Sequence, residues 1–317
     1  MNKKINVGMT YGDPAGIGPE ILTSTLNNWQ KLKLSRLTPM VIGSKRVLKN
    51  VNNNAIFIDN GNNHNKYVPG KPNKISGQHA YECLKQGVLL AKKKKIKALI
   101  TGPVSKKIIS LSTKRFSGQT DAIANLCGLT SNDVIMIFVA KDLRIALFTR
   151  HIALNSISQK IQKKKLKSFI ILLNAEIKKW FKIKKPKIQI LGLNPHAGES
   201  GMFGNEEIKF ITPVIKELRK KGIAISGPAS PDAALACAGR NYLTSKKQKY
   251  DIYVSLYHDQ ALPMFKAVAG HDGVNVTLGL PFLRVSPDHG TAFDIAGKKT
   301  ASNSSFISAI KFLESII

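Results

Sequence analysis

Short β-branched runs alternate with longer amphipathic segments along almost the whole chain, and this alternation constrains the fold more than any other feature. Nine runs predict strands: Ile5–Met9, Met40–Ile42, Ala55–Ile58, Ala98–Thr101, Val134–Val139, Arg144–Thr149, Lys187–Leu191, Asp251–Leu256 and Val274–Leu278. Six segments have the apolar spacing of helices: Pro19–Asn28, Gly77–Lys94, Asp121–Cys127, Ser156–Lys178, Asn205–Lys221 and Phe306–Ile316. Such alternation predicts βαβ units, with a largely parallel sheet covered by helices on both faces.

The length and the missing motifs narrow the fold class further. At 317 residues the chain forms one large domain or two, and because no Pro/Ser-rich linker divides it we expect two closely packed lobes. Gly16 and Gly18 begin a GxG motif, but Ile21 stands where the third glycine of a dinucleotide fingerprint would be. The GxxxxGK[ST], HExxH and GxSxG motifs are also absent. These absences disfavour a Rossmann or P-loop enzyme.

The distribution of apolar residues and cysteines indicates a soluble protein of the cytoplasm. The longest apolar stretches, such as Phe169–Leu173, are far shorter than the ~18 residues that suggest a membrane-spanning helix. The basic N-terminus lacks the apolar stretch of a signal peptide. Cys83, Cys127 and Cys237 are odd in number and widely spaced, as expected for reduced thiols.

The formal net charge of +30 raises the question of a polyanionic partner. The basic residues comprise 41 Lys and only 8 Arg, whereas nucleic-acid readers favour the planar, bidentate guanidinium of Arg. Lys, Asn and Ile are abundant together, and A/T-rich codons encode all three. We therefore interpret most of the lysines as a solvated surface, and expect no specific nucleic-acid partner. A polyanion-binding surface is the alternative.

Three histidines follow three different predicted strands. His151, His196 and His258 are each preceded by a β-branched run, and in an open α/β sheet ligands bind beyond the carboxyl ends of strands. Neutral imidazoles placed there could share one divalent cation and leave positions open for substrate. Asn194, Glu199 and Asp259 lie nearby as possible acceptors for the other ring nitrogens. The alternative is that each is an ordinary loop histidine.

Arg284 is the most informative single cation, because it lies between apolar residues in GLPFLRVSPDHG. A buried Arg needs an anionic partner. Either Arg284 binds a phosphate or carboxylate of a ligand, or it pairs internally with Asp288 or Asp294. Lys266 and Asn275 are two further polar residues in largely apolar sequence. Thr120 could cap the helix predicted after it or help to bind phosphate there.

Five blocks of sequence together resemble the 4-hydroxythreonine-4-phosphate dehydrogenases. They are GDPAGIGPE, TGPVSK, GLNPHAGESGMFGNEE, YHDQALPMFK and GVNVTLGLPFLRVSPDHGTAFDIAG. The resemblance extends from residue 7 to about residue 303. It implies an NAD(P)-dependent and metal-dependent oxidation of 4-phosphohydroxy-L-threonine. The 3-oxo acid then loses carbon dioxide to give 3-amino-2-oxopropyl phosphate, in pyridoxal 5'-phosphate (vitamin B6) biosynthesis.

The resemblance also assigns roles to individual residues. It implies that one divalent ion (Zn, Mg or Co) is bound by His151, His196 and His258, and that substrate is bound by Gln119, Thr120, Lys266, Asn275 and Arg284. Gln119 stands where the family has a histidine, and it cannot carry charge or transfer a proton. Asp232 matches an acidic residue of the family near the site, and either Lys266 or Asp232 could relay the protons of the catalytic reaction; the sequence does not choose between them. The segment 289–297 is similar to the NAD loop of isopropylmalate dehydrogenases, which implies cofactor binding by His289, Gly290, Thr291, Ala292 and Asp294.

The implied fold is a two-lobed, non-Rossmann α/β fold of the isocitrate/isopropylmalate dehydrogenase type, with mostly parallel sheets flanked by helices. Residues 1–118 with about 288–317 are expected to form the first lobe, which includes the cofactor loop. Residues 119–287 would form the second lobe, with the metal ligands and the interface of a homodimer whose active site contains residues of both chains. Two alternatives remain: a dehydrogenase for D-threonate or D-erythronate 4-phosphate, and a catalytically decayed polyanion-binding protein.

Overall fold

The computed structural model describes residues 4–48, 50–51, 55–59, 67–114 and 116–317, and eleven strands and ten α-helices lie in these ranges. The strands are β1 Ile5–Thr10, β2 Leu37–Ile42, β3 Ile56–Ile58, β4 Ala98–Thr101, β5 Ile135–Ala140, β6 Leu143–Leu147, β7 Ile188–Leu191, β8 Ile225–Ala229, β9 Ile252–Ser255, β10 Val274–Leu278 and β11 Leu283–Pro287. The helices are α1 Gly18–Asn27, α2 Lys74–Lys92, α3 Lys106–Ser110, α4 Gln119–Leu126, α5 Ile157–Lys160, α6 Lys163–Phe181, α7 Thr212–Lys220, α8 Pro231–Leu243, α9 His258–Ala269 and α10 Ser304–Ile316.

All nine predicted strands are confirmed to within a few residues, whereas two of the predicted helices differ in form. The segment predicted as one helix over Ser156–Lys178 is two helices, because the chain is extended at Gln162 between α5 and α6. The segment Asn205–Lys221 begins as a π-helical turn, Glu207–Ile211, and continues as α7. Pro213 lacks the N–H that would bond to the Lys209 carbonyl, which accounts for the irregular start.

The chain divides into two compact units, and the first is built from two separate stretches. The first unit contains residues 1–134 and 274–317, and the second contains residues 135–273. Residues 119–134 and 274–287, which we expected in the second lobe, therefore lie in the first unit. The physical reason is sheet pairing and helix packing: β11 pairs with β4, β10 pairs with β11, and α4 packs on α2.

In the first unit the strand order is β3-β2-β1-β4-β11-β10, and all neighbours are parallel except β10 and β11. Helix α2 begins with a capping box, in which the Asn73 side chain accepts the Ser76 N–H at 3.0 Å. A Cβ on Gly87 would lie 2.9 Å from the Leu99 side chain, so glycine lets α2 approach β4 closely. The apolar face of α2, including Leu84 and Val88, fills the core of this unit.

In the second unit the strand order is β5-β6-β9-β7-β8, with an antiparallel β5–β6 hairpin and parallel pairing elsewhere. Helix α9 packs its apolar side on this sheet, where the Phe138 and Phe265 rings meet edge to face at 5.8 Å. The prediction of a largely parallel sheet is therefore confirmed in both units. Among the described residues, no helix is long and apolar enough to cross a membrane, and no cysteine forms a disulfide.

Candidate functional site

The three histidines singled out in the sequence follow three strands that are neighbours in the second unit. Strands β6, β9 and β7 lie side by side and run parallel, so their carboxyl ends meet at one edge of the sheet. His151 follows β6, His196 follows β7 and His258 follows β9. The sheet topology thus brings all three imidazoles to the same edge, as the strand-end argument predicted.

His151 and His258 are brought into contact. The two segments that follow β6 and β9 remain hydrogen-bonded to each other. The Thr149 hydroxyl donates to the Leu256 carbonyl at 2.6 Å. The ring centroids of His151 and His258 are 5.3 Å apart, with 51° between the ring planes. Nδ1 of His258 lies 2.5 Å from the carboxylate of Asp259, so Nε2 is the nitrogen available to a ligand.

This geometry fits two ligands of one metal ion. Two imidazoles bound to one ion at ~2.1 Å with a tetrahedral angle between them have centroids about 5 Å apart, close to the observed separation. No cluster of three or more metal-ligating side chains is formed within the described parts of the chain. His151, His196 and His258 all stay predicted ligands, and His151 and His258 are the two that lie in contact.

His196 begins a backbone turn of unusual form. From His196 to Ser200 every residue has a positive φ, between 37° and 82°. The side chain of His196 lies near Phe203, with ring centroids 6.3 Å apart. The pKa of Asp232 is held below its usual range, chiefly by a hydrogen bond from the Ser230 hydroxyl and also by the nearby charge of His196. His196 therefore lies close enough to Asp232 to influence its charge.

Arg284 is buried in the first unit, and its hydrogen-bond partners among the described residues are neutral groups. It is 4% exposed. Its guanidinium donates to the hydroxyl of Thr101 from Nε at 3.0 Å and from Nη2 at 2.8 Å, and to the hydroxyl of Thr277 from Nη1 at 3.2 Å. Nη2 also donates to Oε1 of Gln119 at 2.9 Å. Burial alone lowers the pKa of Arg284 to about 10.

The internal ion pair considered for Arg284 is not formed. Within the described ranges, no carboxylate lies within ion-pair distance of the guanidinium, so neither Asp288 nor Asp294 neutralises it. A buried and uncompensated cation needs an anion from a ligand. One N–H of Nη1 remains for that ligand, because the other four N–H groups are used.

Two strands present further polar groups beside Arg284. Thr277 is opposite Arg284 in the β10–β11 pair, and Asn275 is opposite Ser286. Because residues two apart share a face of a strand, these four side chains lie on one face. Oδ1 of Asn275 is buried without a hydrogen-bond partner among the described residues. It is therefore a ready acceptor for a donor of a bound ligand.

Gln119, the residue that replaces a family histidine, holds Arg284. Its Nε2 donates to the Gly102 carbonyl at 2.9 Å while its Oε1 accepts from Arg284. Gln119 is the first residue of α4, and Thr120 is the second. Sequence reasoning missed Thr101 and Thr277 as partners of Arg284. The position of Thr101 could have indicated this role, because Thr101 is the last residue of β4 and the first of the TGPVSK block.

The predicted cofactor loop packs against the segment that follows β1. The Ile17 N–H donates to the Thr291 carbonyl at 3.0 Å. A Cβ on Gly16 would lie 2.8 Å from the same oxygen, so only glycine permits this approach. Nε2 of His289 is buried without a hydrogen-bond partner among the described residues. This buried ring nitrogen is therefore free to form a hydrogen bond with a polar cofactor bound at the loop.

Lys266 lies apart from the histidines along its own helix. His258 begins α9 and Lys266 is in its last turn, so the helical rise separates their backbones by about 12 Å. The Lys266 side chain is exposed. The remaining predicted cofactor residues, Ala292 and Asp294, lie in the same loop as Thr291, where Ala292 has a left-handed φ of 40°.

Comparison with known proteins gives consistent matches over nearly the full length. The family model described as "Pyridoxal phosphate biosynthetic protein PdxA" matches residues 18–313. A 4-hydroxythreonine-4-phosphate dehydrogenase from Sulfurihydrogenibium sp. is 39% identical over 97% of this chain and 97% of its own length. A Clostridium botulinum protein named "Putative D-threonate 4-phosphate dehydrogenase" is 33% identical over 98% of this chain and 96% of its own.

Solved structures agree on the fold. The crystal structure of a 4-hydroxythreonine-4-phosphate dehydrogenase from Klebsiella pneumoniae has a TM-score of 0.84 at 29% identity, covering 98% of each chain. A β-decarboxylating dehydrogenase from Thermococcus kodakarensis, 13% identical, has a TM-score of 0.51 over 98% of this chain and 83% of its own, and shares the fold alone. The predicted fold class, that of the isocitrate/isopropylmalate dehydrogenases, is confirmed.

Proposed function

The chain belongs to the PdxA family of pyridoxal phosphate biosynthetic proteins, and from this premise we propose that it is a 4-hydroxythreonine-4-phosphate dehydrogenase. The enzyme oxidises the C3 hydroxyl of 4-phosphohydroxy-L-threonine with NAD or NADP, and the 3-oxo acid decarboxylates to 3-amino-2-oxopropyl phosphate. The observation that carries the proposal at the site is the buried Arg284, whose partners in the described chain are all neutral. A doubly anionic substrate supplies the missing counter-charge.

The first unit binds the anionic and polar ends of the substrate. Arg284 donates to a phosphate or carboxylate oxygen of the substrate. Hydrogen bonds to Thr101, Thr277 and Gln119 fix the orientation of its guanidinium group. Asn275 accepts from a substrate hydroxyl or amine, because its Oδ1 has no hydrogen-bond partner among the described residues. Thr120, the second residue of α4, adds a hydroxyl that can donate to the substrate. These residues bind and orient the substrate before any chemistry takes place.

The second unit contributes the metal ligands. His151 and His258, with His196 as the third ligand, would hold one divalent ion. When bound, such an ion lowers the pKa of a coordinated hydroxyl and polarises a carbonyl. Asp259 orients the His258 ring through Nδ1. Zn, Mg and Co are all candidates. Lys266 and Asp232 are the groups proposed to carry the protons that leave the hydroxyl and return to the product.

The loop 289–297 would hold the nicotinamide cofactor, which accepts the hydride when bound. His289 donates to or accepts from it through the buried Nε2. Gly290, Thr291, Ala292 and Asp294 complete the loop, and the contact between Thr291 and Ile17 fixes its position on the first unit. We further propose that the enzyme acts as a homodimer in the cytoplasm, with both chains contributing to each active site.

A specific observation supports one second candidate, a D-threonate or D-erythronate 4-phosphate dehydrogenase. The relative from Clostridium botulinum bears a name of this kind, and Gln119 replaces the family histidine. All three substrates have a phosphate that Arg284 could bind, so the anion site alone does not separate them. The residue that differs, Gln119, contacts Arg284 directly.

The decisive experiment measures NADH or NADPH formation by the purified protein with each of the three phosphorylated substrates in turn. We expect turnover to be highest with 4-phosphohydroxy-L-threonine, to stop after treatment with a chelator, and to return when Zn²⁺, Co²⁺ or Mg²⁺ is added back. Higher kcat/KM with D-threonate or D-erythronate 4-phosphate would establish the second candidate. Absence of turnover with all three, together with salt-dependent DNA binding, would favour the decayed polyanion-binding protein.

A further inference from the structure

The turn that carries His196 has a backbone that the sequence by itself disfavours. His196, Ala197, Glu199 and Ser200 all have left-handed φ angles, and Gly198 between them has φ 82°. L-residues avoid this conformation because Cβ comes too close to the following carbonyl oxygen, and they adopt it as single residues rather than in runs. A run of five therefore needs support from outside the turn.

Glu207 supplies that support at the start of the turn. Its side chain is buried, at 2% exposure. Oε1 accepts the Leu193 N–H at 2.7 Å and the Asn194 N–H at 2.9 Å, and Oε2 accepts Nδ2 of Asn194 at 2.9 Å. Among the described residues, all hydrogen-bond partners of this carboxylate belong to the two residues that precede the Pro195–Gly201 turn. The buried charge is thus used entirely to hold that segment.

Glu206 extends the link to the segment that follows His151. Nδ2 of Asn194 also donates to Oε2 of Glu206 at 2.8 Å. Oε1 of Glu206 accepts from the hydroxyl of Ser158 at 2.6 Å, and Ser158 lies on the short helix α5. Asn194 therefore bridges two carboxylates, and through them the chain before His196 is tied to the chain after His151.

The space around Glu207 leaves little room for the carboxylate to move. A Cβ on Gly198 would lie 2.8 Å from Oε2 of Glu207, and a Cβ on Gly192 would lie 3.2 Å from Oε1. A Cβ on Gly204 would lie 2.4 Å from Nδ2 of Asn194. Glu207 also begins the π-helical turn, a form that occurs often at functional sites. Glycine at these three positions therefore lets the Glu207 carboxylate and the Asn194 side chain lie close to the turn.

We propose that Glu207 is a positioning residue that holds the left-handed turn, and so presents His196 in the orientation that metal binding requires. The role needs a carboxylate, because three N–H donors converge on it and only an acceptor on both oxygens satisfies them. The metal part of this inference rests on the proposed function. The part that concerns the turn does not.

The test compares Glu207→Gln with the wild type in two measurements. Glutamine keeps the shape but turns one acceptor into a donor that faces the donors of Asn194. In the metal-free protein we expect amide hydrogen exchange over residues 193–203 to be ~10-fold faster or more, because the turn opens locally. In a Zn²⁺ titration against a chromophoric chelator we expect ~10-fold weaker binding, typical of lost support for a metal ligand.

Glu176→Gln is the matched control. Glu176 is a buried carboxylate of the same unit that accepts from Nε1 of Trp180 at 2.9 Å, on helix α6. This substitution should leave both the exchange at 193–203 and the Zn²⁺ affinity at wild-type values. If Glu207→Gln does not fold, Glu207→Asp serves instead, because it keeps the charge but is one methylene shorter and draws the carboxylate away from the Leu193 and Asn194 N–H groups.

Wild-type exchange at 193–203 in a folded Glu207→Gln, or in Glu207→Asp where the first variant is unfolded, would overturn the proposal. So would faster exchange with unchanged Zn²⁺ affinity, because the turn would then not set the ligand. A wild-type protein that binds no Zn²⁺, or that binds it equally well after His196→Ala, would refute the metal assignment of the proposed function. The exchange measurement then decides alone whether Glu207 holds the turn.

Discussion

Replacing Arg284 by methionine tests whether the counter-charge of its guanidinium comes from a bound anion and not from the protein itself. Methionine is unbranched and of similar length, and it carries no charge. If Arg284 were neutralised within the chain, the substitution would break a buried ion pair, which costs about 3–5 kcal/mol of unfolding free energy. If Arg284 is uncompensated, as the structure has it, the loss is much smaller.

The expected value follows from two opposing contributions. Burial lowers the pKa of Arg284 to about 10, and at about 1.4 kcal/mol per pH unit this corresponds to about 3 kcal/mol of desolvation that methionine removes. The four hydrogen bonds to Thr101, Thr277 and Gln119 are lost, at about 1 kcal/mol each. We therefore expect Arg284→Met to lower the free energy of unfolding by about 1 kcal/mol, because the lost hydrogen bonds slightly outweigh the desolvation that is removed.

The assay is urea unfolding of both proteins in phosphate-free buffer, followed by the same experiment with inorganic phosphate. Phosphate should stabilise the wild type and leave Arg284→Met unchanged. With substrate, kcat/KM should fall by roughly 100-fold or more, because a buried hydrogen-bonded charge pair is worth about 2–5 kcal/mol when one partner is removed. Arg144→Met is the control: Arg144 is held by the carbonyls of Asp142 and Asp251, and its loss should not affect the phosphate response.

Either of two results would refute this reasoning. A loss of 3 kcal/mol or more without phosphate would mean that Arg284 already has an anionic partner within the protein. A phosphate-induced stabilisation that survives in Arg284→Met would mean that another group binds the anion.

Three further substitutions have signs fixed by the structure. Asp13 is buried, and burial raises its pKa; its contribution to stability is therefore present at low pH and lost as pH rises through the raised pKa. Asp13→Asn should be more stable than the wild type at pH 7.5, by about 1.4 kcal/mol per pH unit of the shift, and urea unfolding should show this gain vanish near pH 4; an equal gain at both pH values would contradict the sign. Ala197→Gly should raise the free energy of thermal unfolding by about 1 kcal/mol by relieving a left-handed φ of 54°, and a lower melting temperature would argue against strain there. Gln119→Ala removes the acceptor 2.9 Å from Nη2 of Arg284 and should raise KM ~10-fold with little change in kcat. An unchanged KM would show that Gln119 does not orient the Arg284 guanidinium for substrate binding.

Most of the fold was predictable because the spacing of apolar residues follows the period of the helix or strand wherever that element is regular and half or fully buried. The two missed strands lack that signal. β8 reads ISGPA, where Gly and Pro imitate a turn, and β11 reads LRVSP, where Arg284 interrupts the apolar run. Helix α9 is not among the predicted helices, because Pro263 lies inside it. In each case tertiary contacts override the local preference.

The candidate site was only partly predictable for a related reason. Residue type and position after a strand singled out His151, His196 and His258, and the apolar neighbours of Arg284 singled out that residue. The left-handed turn at His196 was not visible, because its residues have no preference for that conformation. Glu207 was missed because its task is defined by backbone N–H groups thirteen and fourteen positions away. The only signal was an acidic pair in GNEE, which reads as an ordinary exposed helix start.

The first unit is made from both ends of the chain, and this has a consequence for how the protein is synthesised. Strand β4 pairs with β1 on one side, and its other side is paired only when β11 has been synthesised. At ~5–20 residues per second, a ribosome needs roughly 10–40 s to make the chain between them. The second unit is contiguous in sequence and can fold during that interval. Until residue 283 emerges, however, the nascent chain exposes an unpaired apolar strand, so a truncated message yields an aggregation-prone half-sheet rather than a smaller stable domain.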